Sequence, residues 1–206
     1  MTDFTADALI EAFTALGERA HAAGRVIDIA VYGGSCLMLA SNFRRATRDV
    51  DAVVATEDAF FRDAARALAA ERGWPADWIN DGVATYLSPV APPPQHHDLF
   101  RAFPSERECG LRVFVPTAEY MLAMKLMALR SDGDDGKSDL GDAVALLAVV
   151  SPPSRDDIVA LAAAFYPEAR VSGKLRLALD QLWRAYQERS RKGGPDAPRY
   201  LGRTGA

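Results

Sequence analysis

The chain has 206 residues, 49% hydrophobic and 25% charged, a size and composition that suit one folded domain with a helical appendage and exclude the disordered and fibrous classes. Its formal net charge of −4 excludes a large uniform basic surface for coating nucleic acid, while leaving room for a local basic patch. No apolar run reaches the roughly 18 residues that cross a bilayer, and the start, Met1-Thr2-Asp3-Phe4, lacks the basic flank and apolar stretch of a signal peptide, so a cytoplasmic protein without membrane contact is expected.

Residues Asp3 to Ala23 place Phe4, Ala8, Ala12, Leu16 and Ala20 at four-residue spacing before Gly24, which predicts an amphipathic helix. Val26 to Tyr32, apolar apart from Asp28, reads as a first strand that stops at a Gly-Gly pair. Cys36 to Phe43 suits a short helix, Val50 to Val54 a second strand, and Glu57 to Arg72 an Ala-rich helix ending before Gly73-Trp74-Pro75. Val83 to Leu87 and Leu111 to Val115 are strand candidates, joined by a mobile loop from Pro89 to Pro104 that carries five prolines and the pair His96-His97. Beyond Pro116 the pattern is helical throughout: Thr117 to Arg130, Ser138 to Val150, Ser154 to Phe165 and Val171 to Arg191. Cys36 and Cys109 form no CxxC or Cys/His cluster, so neither a zinc site nor a disulfide is expected.

This order predicts an α/β (α+β) protein: a small mixed sheet flanked by helices over residues 1–116, a C-terminal helical bundle over 117–192, and a flexible tail over 193–206. Fold class by itself decides nothing about function.

Chemistry concentrates in Val31-Tyr32-Gly33-Gly34-Ser35 and in Arg44-Arg45-Ala46-Thr47-Arg48-Asp49-Val50-Asp51. A strand that ends in two glycines and a serine before a helix exposes backbone N–H groups that can approach phosphate oxygens, and Ser35 adds a hydroxyl. In Asp49-Val50-Asp51 the strand period of two puts both carboxylates on one face, the arrangement that a Mg²⁺ (or Mn²⁺) bridging nucleotide phosphates requires.

These segments resemble the nucleotidyltransferase superfamily, whose signature is a Gly-Ser, about ten residues, then Asp-x-Asp; here thirteen residues separate Ser35 from Asp49. The fuller string G-G-S followed by R-x-T-R-D-V-D is similar to the AbiEii toxin branch. Trp78-Ile79-Asn80-Asp81-Gly82-Val83 is similar to a further segment of those relatives. Met121 to Arg130, followed by Lys137-Ser138-Asp139-Leu140-Gly141-Asp142, resembles their later Lys-bearing helix and Arg-Asp-x-x-Asp helix start. The resemblance implies a nucleotidyltransferase fold and transfer of a nucleoside monophosphate from an NTP to an acceptor hydroxyl. It implies Gly33, Gly34, Ser35 and Arg48 at the nucleotide, Asp49 and Asp51 on the metal, and Lys125 at the β- or γ-phosphate. It further implies a toxin with a separately encoded antitoxin as partner and a tRNA 3′ end as acceptor. The superfamily's third strand carboxylate has no counterpart in Leu111 to Val115, where Arg112 stands, and Asp139 is the expected substitute.

Plainer readings exist for each feature. Gly-Gly-Ser is often a tight turn, Asp-Val-Asp a solvated strand end, Arg44, Arg45 and Arg48 a solvated face, Lys125 a snorkelling surface lysine, and Asp139 and Asp142 helix caps. His96 and His97 read as exposed loop histidines without a third metal ligand. Two other functions remain: a degenerate nucleotide-binding module, suggested by the absent third carboxylate, and a small-molecule nucleotidyltransferase of the aminoglycoside-modifying kind, suggested by the acidic charge.

Overall fold

In the computed structural model the described residues are 3–41, 43–55, 59–92, 95–129, 134–167, 173–192 and 199–201, with side chains at all of these except 134–138, 173–177 and 192. Five strands, β1 (Ile27–Val31), β2 (Val50–Val54), β3 (Ile79–Asn80), β4 (His97–Phe103) and β5 (Leu111–Pro116), form one mixed sheet in the order β3-β2-β1-β5-β4. β1 pairs antiparallel with β2 and parallel with β5, β2 pairs parallel with β3, and β4 pairs antiparallel with β5. The expected small mixed sheet with helices is therefore present.

Strand alternation separates the two faces. Ile27, Ile29 and Val31 of β1, with Val50 and Ala52 of β2, are all buried, and Val31 stands opposite Ala52. Asp28 and Ala30 leave by the other face, as does Asp51, because the Tyr32 N–H continues the ladder to the Asp51 carbonyl at 2.8 Å. Three helices belong to this unit: α1 (Ala6–Ala22), α2 (Gly33–Ala40) and α3 (Ala59–Arg72). The Thr5 hydroxyl caps α1 by accepting from the Ala8 N–H, and Leu9, Phe13 and Leu16 on its apolar stripe are buried. Helix α1 contacts α3, β5 and β4, and its approach depends on Gly17, where a Cβ would lie 2.5 Å from the Phe103 carbonyl oxygen. Phe4, Trp74 and Trp78 pack together beside it, with the Trp78 indole N–H donating to the Ala65 carbonyl at 3.1 Å.

Four further helices, α4 (Ala118–Ala128), α5 (Asp134–Val150), α6 (Arg155–Phe165) and α7 (Gly173–Lys192), follow the sheet. Contacts divide the chain into two compact units, residues 1–85 with 97–116 and residues 86–96 with 117–206. In the second, α4 packs on α5 and α6, and α5 packs on α7. The segment 86–96 belongs with these helices for a visible reason. The Ser88 N–H donates to the Tyr120 hydroxyl at 2.9 Å, the Ser88 hydroxyl donates to the Phe165 carbonyl, and the Tyr166 hydroxyl donates to the Tyr86 carbonyl at 2.6 Å. Tyr120 stacks on Phe165 with ring centroids 5.0 Å apart, and burial raises its phenol pKa, opposed by the hydrogen bond from Ser88.

Three local expectations need correction. Val83 to Leu87 is not a strand: Gly82–Tyr86 forms a 3₁₀ turn, in which Val83 is half-buried and Ala84 and Thr85 are exposed. Its β-branched residues find no neighbouring strand, and β-propensity acts only through such neighbours. The loop from Pro89 to Pro104 contains β4, whose period is broken by a register shift between Leu99 and Arg101 and whose flanking prolines hid it. Before β4, the His96 ring packs edge-on against Phe165. Helix α2 begins at Gly33, three residues earlier than expected, so the glycines form its first turn.

Candidate functional site

The end of β1 turns into α2 at Gly33, whose φ of +61° is the left-handed conformation that a side chain disfavours. A Cβ there would also lie 2.1 Å from the Asp51 Oδ2 atom, so the carboxylate rests directly over the Gly33 backbone. At Gly34 a Cβ would lie 3.0 Å from Arg44 Nη1 and 3.1 Å from Thr47 Oγ1. The first turn of α2 thus has a carboxylate, a guanidinium and a hydroxyl gathered over two glycines. Tyr32, at the N-cap, makes no side-chain capping bond.

The opposite wall is the turn into β2. Thr47 is buried and bridged to Phe4 by two backbone bonds of 2.7 and 3.0 Å, and its hydroxyl donates to the Asp49 carbonyl at 3.1 Å. That anchor fixes the chain just before Asp49, and the Val50 N–H donates to the Trp78 carbonyl at 2.8 Å, fixing it just after. Asp49 and Arg48 are exposed and Asp51 is half-buried, with Val50 fully buried between the two carboxylates. Of the three arginines before β2, Arg44 is the one held over the helix turn, where sequence reasoning favoured Arg48. Thr47 had no assigned role, although a threonine inside a run of arginines was a readable signal.

Ser35 is fully buried and its hydroxyl donates to the Tyr32 carbonyl at 2.8 Å, so in this state it secures the turn instead of presenting itself to a phosphate. Tyr32, also buried, shares a 2.8 Å hydrogen bond between its hydroxyl and His97 Nε2, with the rings edge to face at 5.5 Å. His97 is therefore a partnered residue at the start of β4. His96 is the exposed one of the pair, its ring edge 5.0 Å from Phe165.

Gly33, Gly34, Ser35, Arg48, Asp49 and Asp51 lie in the first unit, and Lys125, Asp139 and Asp142 in the second. Lys125 is not a snorkelling surface residue. It is buried, and its ammonium lies 2.7 Å from Asp139 Oδ1 and 2.8 Å from Asp142 Oδ2, so two carboxylates already supply its counter-charge. Lys125, Asp139 and Asp142 thus form a clasp between α4 and α5.

Arg112 pairs in bidentate fashion with Asp28, at 2.6 and 2.7 Å, across the β1–β5 ladder, and this hydrogen bonding raises its pKa. It explains the one acidic residue of β1. β5, which carries no carboxylate, adjoins β1. The strand that adjoins β2 is β3, where Asn80 is the register partner of Asp51. Asn80 also borders a cleft of 460 Å³ whose walls include Val53, Phe61, Arg62 and Asp81.

Among the described residues no group of three or more His, Cys, Asp or Glu side chains is placed to hold a metal ion. Asp49 and Asp51 provide two carboxylates, one exposed and one over the glycine turn. That donor set fits Mg²⁺ or Mn²⁺, which takes one or two protein carboxylates and completes its shell with phosphate oxygens and water. Among the described residues no helix is long and apolar enough to cross a membrane. No protein-family model, curated protein or solved structure matches the chain.

Proposed function

We propose that this chain is a divalent-metal-dependent nucleotidyltransferase with its nucleotide site at the β1–α2 turn. The observation that carries the proposal is Gly33: a positive-φ glycine opening a helix, with the Asp51 carboxylate 2.1 Å from where a Cβ would stand. A phosphate at the first amides of α2 would share its cation with the carboxylate that lies against Gly33. Asp49 and Asp51 would hold the Mg²⁺, which when bound supplies charge neutralisation and orientation of the triphosphate. Arg44 and the first amides of α2 bind phosphate oxygens, and Thr47 keeps the Asp49 turn in place. In the transfer the acceptor hydroxyl forms a bond to the α-phosphorus and releases its proton to solvent. The α–β bridging bond breaks and pyrophosphate leaves. Lys125 and Asp139 enter as structural support for the second unit. A toxin role, with tRNA as acceptor and an antitoxin as partner, rests on the sequence resemblance.

The second reading, a nucleotide-binding module without transfer, is favoured by the inward-turned Ser35. One experiment separates the two. The protein is incubated with each α-labelled NTP, Mg²⁺ and, in turn, total tRNA or an aminoglycoside, with EDTA and Asp51→Asn as controls. Label on an acceptor, lost in both controls, supports the transferase and names the acceptor. Calorimetric NTP binding that depends on Mg²⁺ without any transfer supports the binding module. Neither binding nor transfer overturns both.

A further inference from the structure

We infer that Asn80 completes the Asp49/Asp51 site as a neutral hydrogen-bond donor to an oxygen of the bound nucleotide's phosphates, an inference that rests on the nucleotide-site reading above. The register of β2 and β3 carries it. Asp51 and Asn80 are direct partners in a parallel pair, so their side chains leave the same face of the sheet from strands about 4.8 Å apart. The amide is also oriented. Its Oδ1 accepts the Gly82 N–H at 2.9 Å, closing a turn that starts the 3₁₀ segment. With the oxygen used in this way, the group left to present is the Nδ2 amino group, which only donates. Asn80 is half-buried at the edge of the sheet, so it is partly exposed to solvent.

The residue type matters. A carboxylate at position 80 would put a third negative charge beside Asp51 and favour a further cation, whereas an amide adds no charge and turns donors toward whatever oxygen the cation holds. Asn80 thereby limits the protein's share of the cation shell to two carboxylates and reads an anionic oxygen on the flank of Asp51. A hydrogen bond to a charged oxygen, at about 1.5–3 kcal/mol, corresponds to roughly a tenfold or greater change in affinity.

Asn80→Asp separates this role from a structural one, because aspartate keeps the oxygen that accepts from Gly82 and loses the donor. The probes are the Mg²⁺ complexes of the four NTPs, titrated separately by calorimetry, and Mn²⁺ alone, followed by its paramagnetic resonance signal. The expected result is an unchanged melting temperature, NTP binding weakened about tenfold, and Mn²⁺ binding tightened several-fold. Should the added charge unfold the chain, Asn80→Ser carries the same nucleotide test, with a hydroxyl too short to reach. Unchanged NTP affinity in the folded variant overturns the role of Asn80, as does unchanged Mn²⁺ affinity. If NTP binding is lost in Asp51→Asn but kept in Asn80→Asp, the nucleotide site stands and Asn80 is a turn residue. If the wild-type chain binds no NTP, both fall together.

Discussion

Gly33 joins two requirements at one position, a left-handed backbone and a missing side chain beside Asp51 Oδ2. Gly33→Ala violates both. The strained backbone costs of order 1–3 kcal/mol, and the methyl must displace the carboxylate. The expected outcome is a lower melting temperature together with loss of NTP binding. Gly73→Ala is the control: its φ of +67° imposes the same kind of strain, but nothing lies within 4 Å of its Cβ position. A control variant that keeps NTP binding at a similarly reduced melting temperature shows that the loss in Gly33→Ala comes from the displaced carboxylate. Equal binding by both variants removes the close approach from the functional account. Ser35 illustrates the opposite lesson at the same scale. Its sequence position beside two glycines suggested phosphate contact, but the first turn of a helix also offers a serine hydroxyl a nearby carbonyl, and the Tyr32 carbonyl takes it.

At the scale of elements, the second unit holds α4 through two polar devices. The first is the clasp of Lys125 with Asp139 and Asp142 between α4 and α5. Removing the ammonium leaves two carboxylates facing each other, one of them buried, so Lys125→Ala is expected to destabilise by about 3 kcal/mol or more. Asp142→Asn in the same background should recover part of that loss. Chemical denaturation of the two variants measures both, and a silent Lys125→Ala would show that the clasp contributes nothing. The second device is Tyr120, whose hydroxyl accepts from Ser88 in a buried position. Because its folded pKa is raised above 10.0, the stability it contributes is fully present below that value and is lost as pH rises through the folded pKa. Tyr120→Phe leaves the Ser88 N–H without its acceptor and should cost about 1–3 kcal/mol near neutrality. The gap between wild type and variant should then narrow above about pH 10, the ordinary value of a tyrosine phenol. Denaturation curves from pH 7 to 11 test it, and a gap that stays constant across that range would contradict the assignment.

At the scale of the whole molecule, the net charge of −4 and the two carboxylates at the glycine turn both oppose a bare triphosphate, which is why the proposed site depends on a divalent cation. Much of the architecture was legible from the chain alone. The strand β2 matched its expected bounds, helix α1 followed from the four-residue spacing of Phe4 to Ala20, and the four helices past Pro116 followed from periodicity. Such patterns are local, set by side-chain spacing along one element, and so they survive in a single sequence. The Gly33 turn and the Asp49-Val50-Asp51 alternation were legible for the same reason. Partnership was not. That β3 rather than β5 adjoins β2, that Arg112 answers Asp28, that Lys125 answers Asp139 and Asp142, and that Asn80 stands beside Asp51 are facts of pairing between residues 14 to 84 positions apart, distances along the chain at which spacing carries no information. β4 and the turn at Val83 show the same division. A sequence states which residues prefer extended backbone, but only a neighbouring strand with free N–H and C=O groups makes that preference into sheet, and the tertiary structure alone decides which segment finds one.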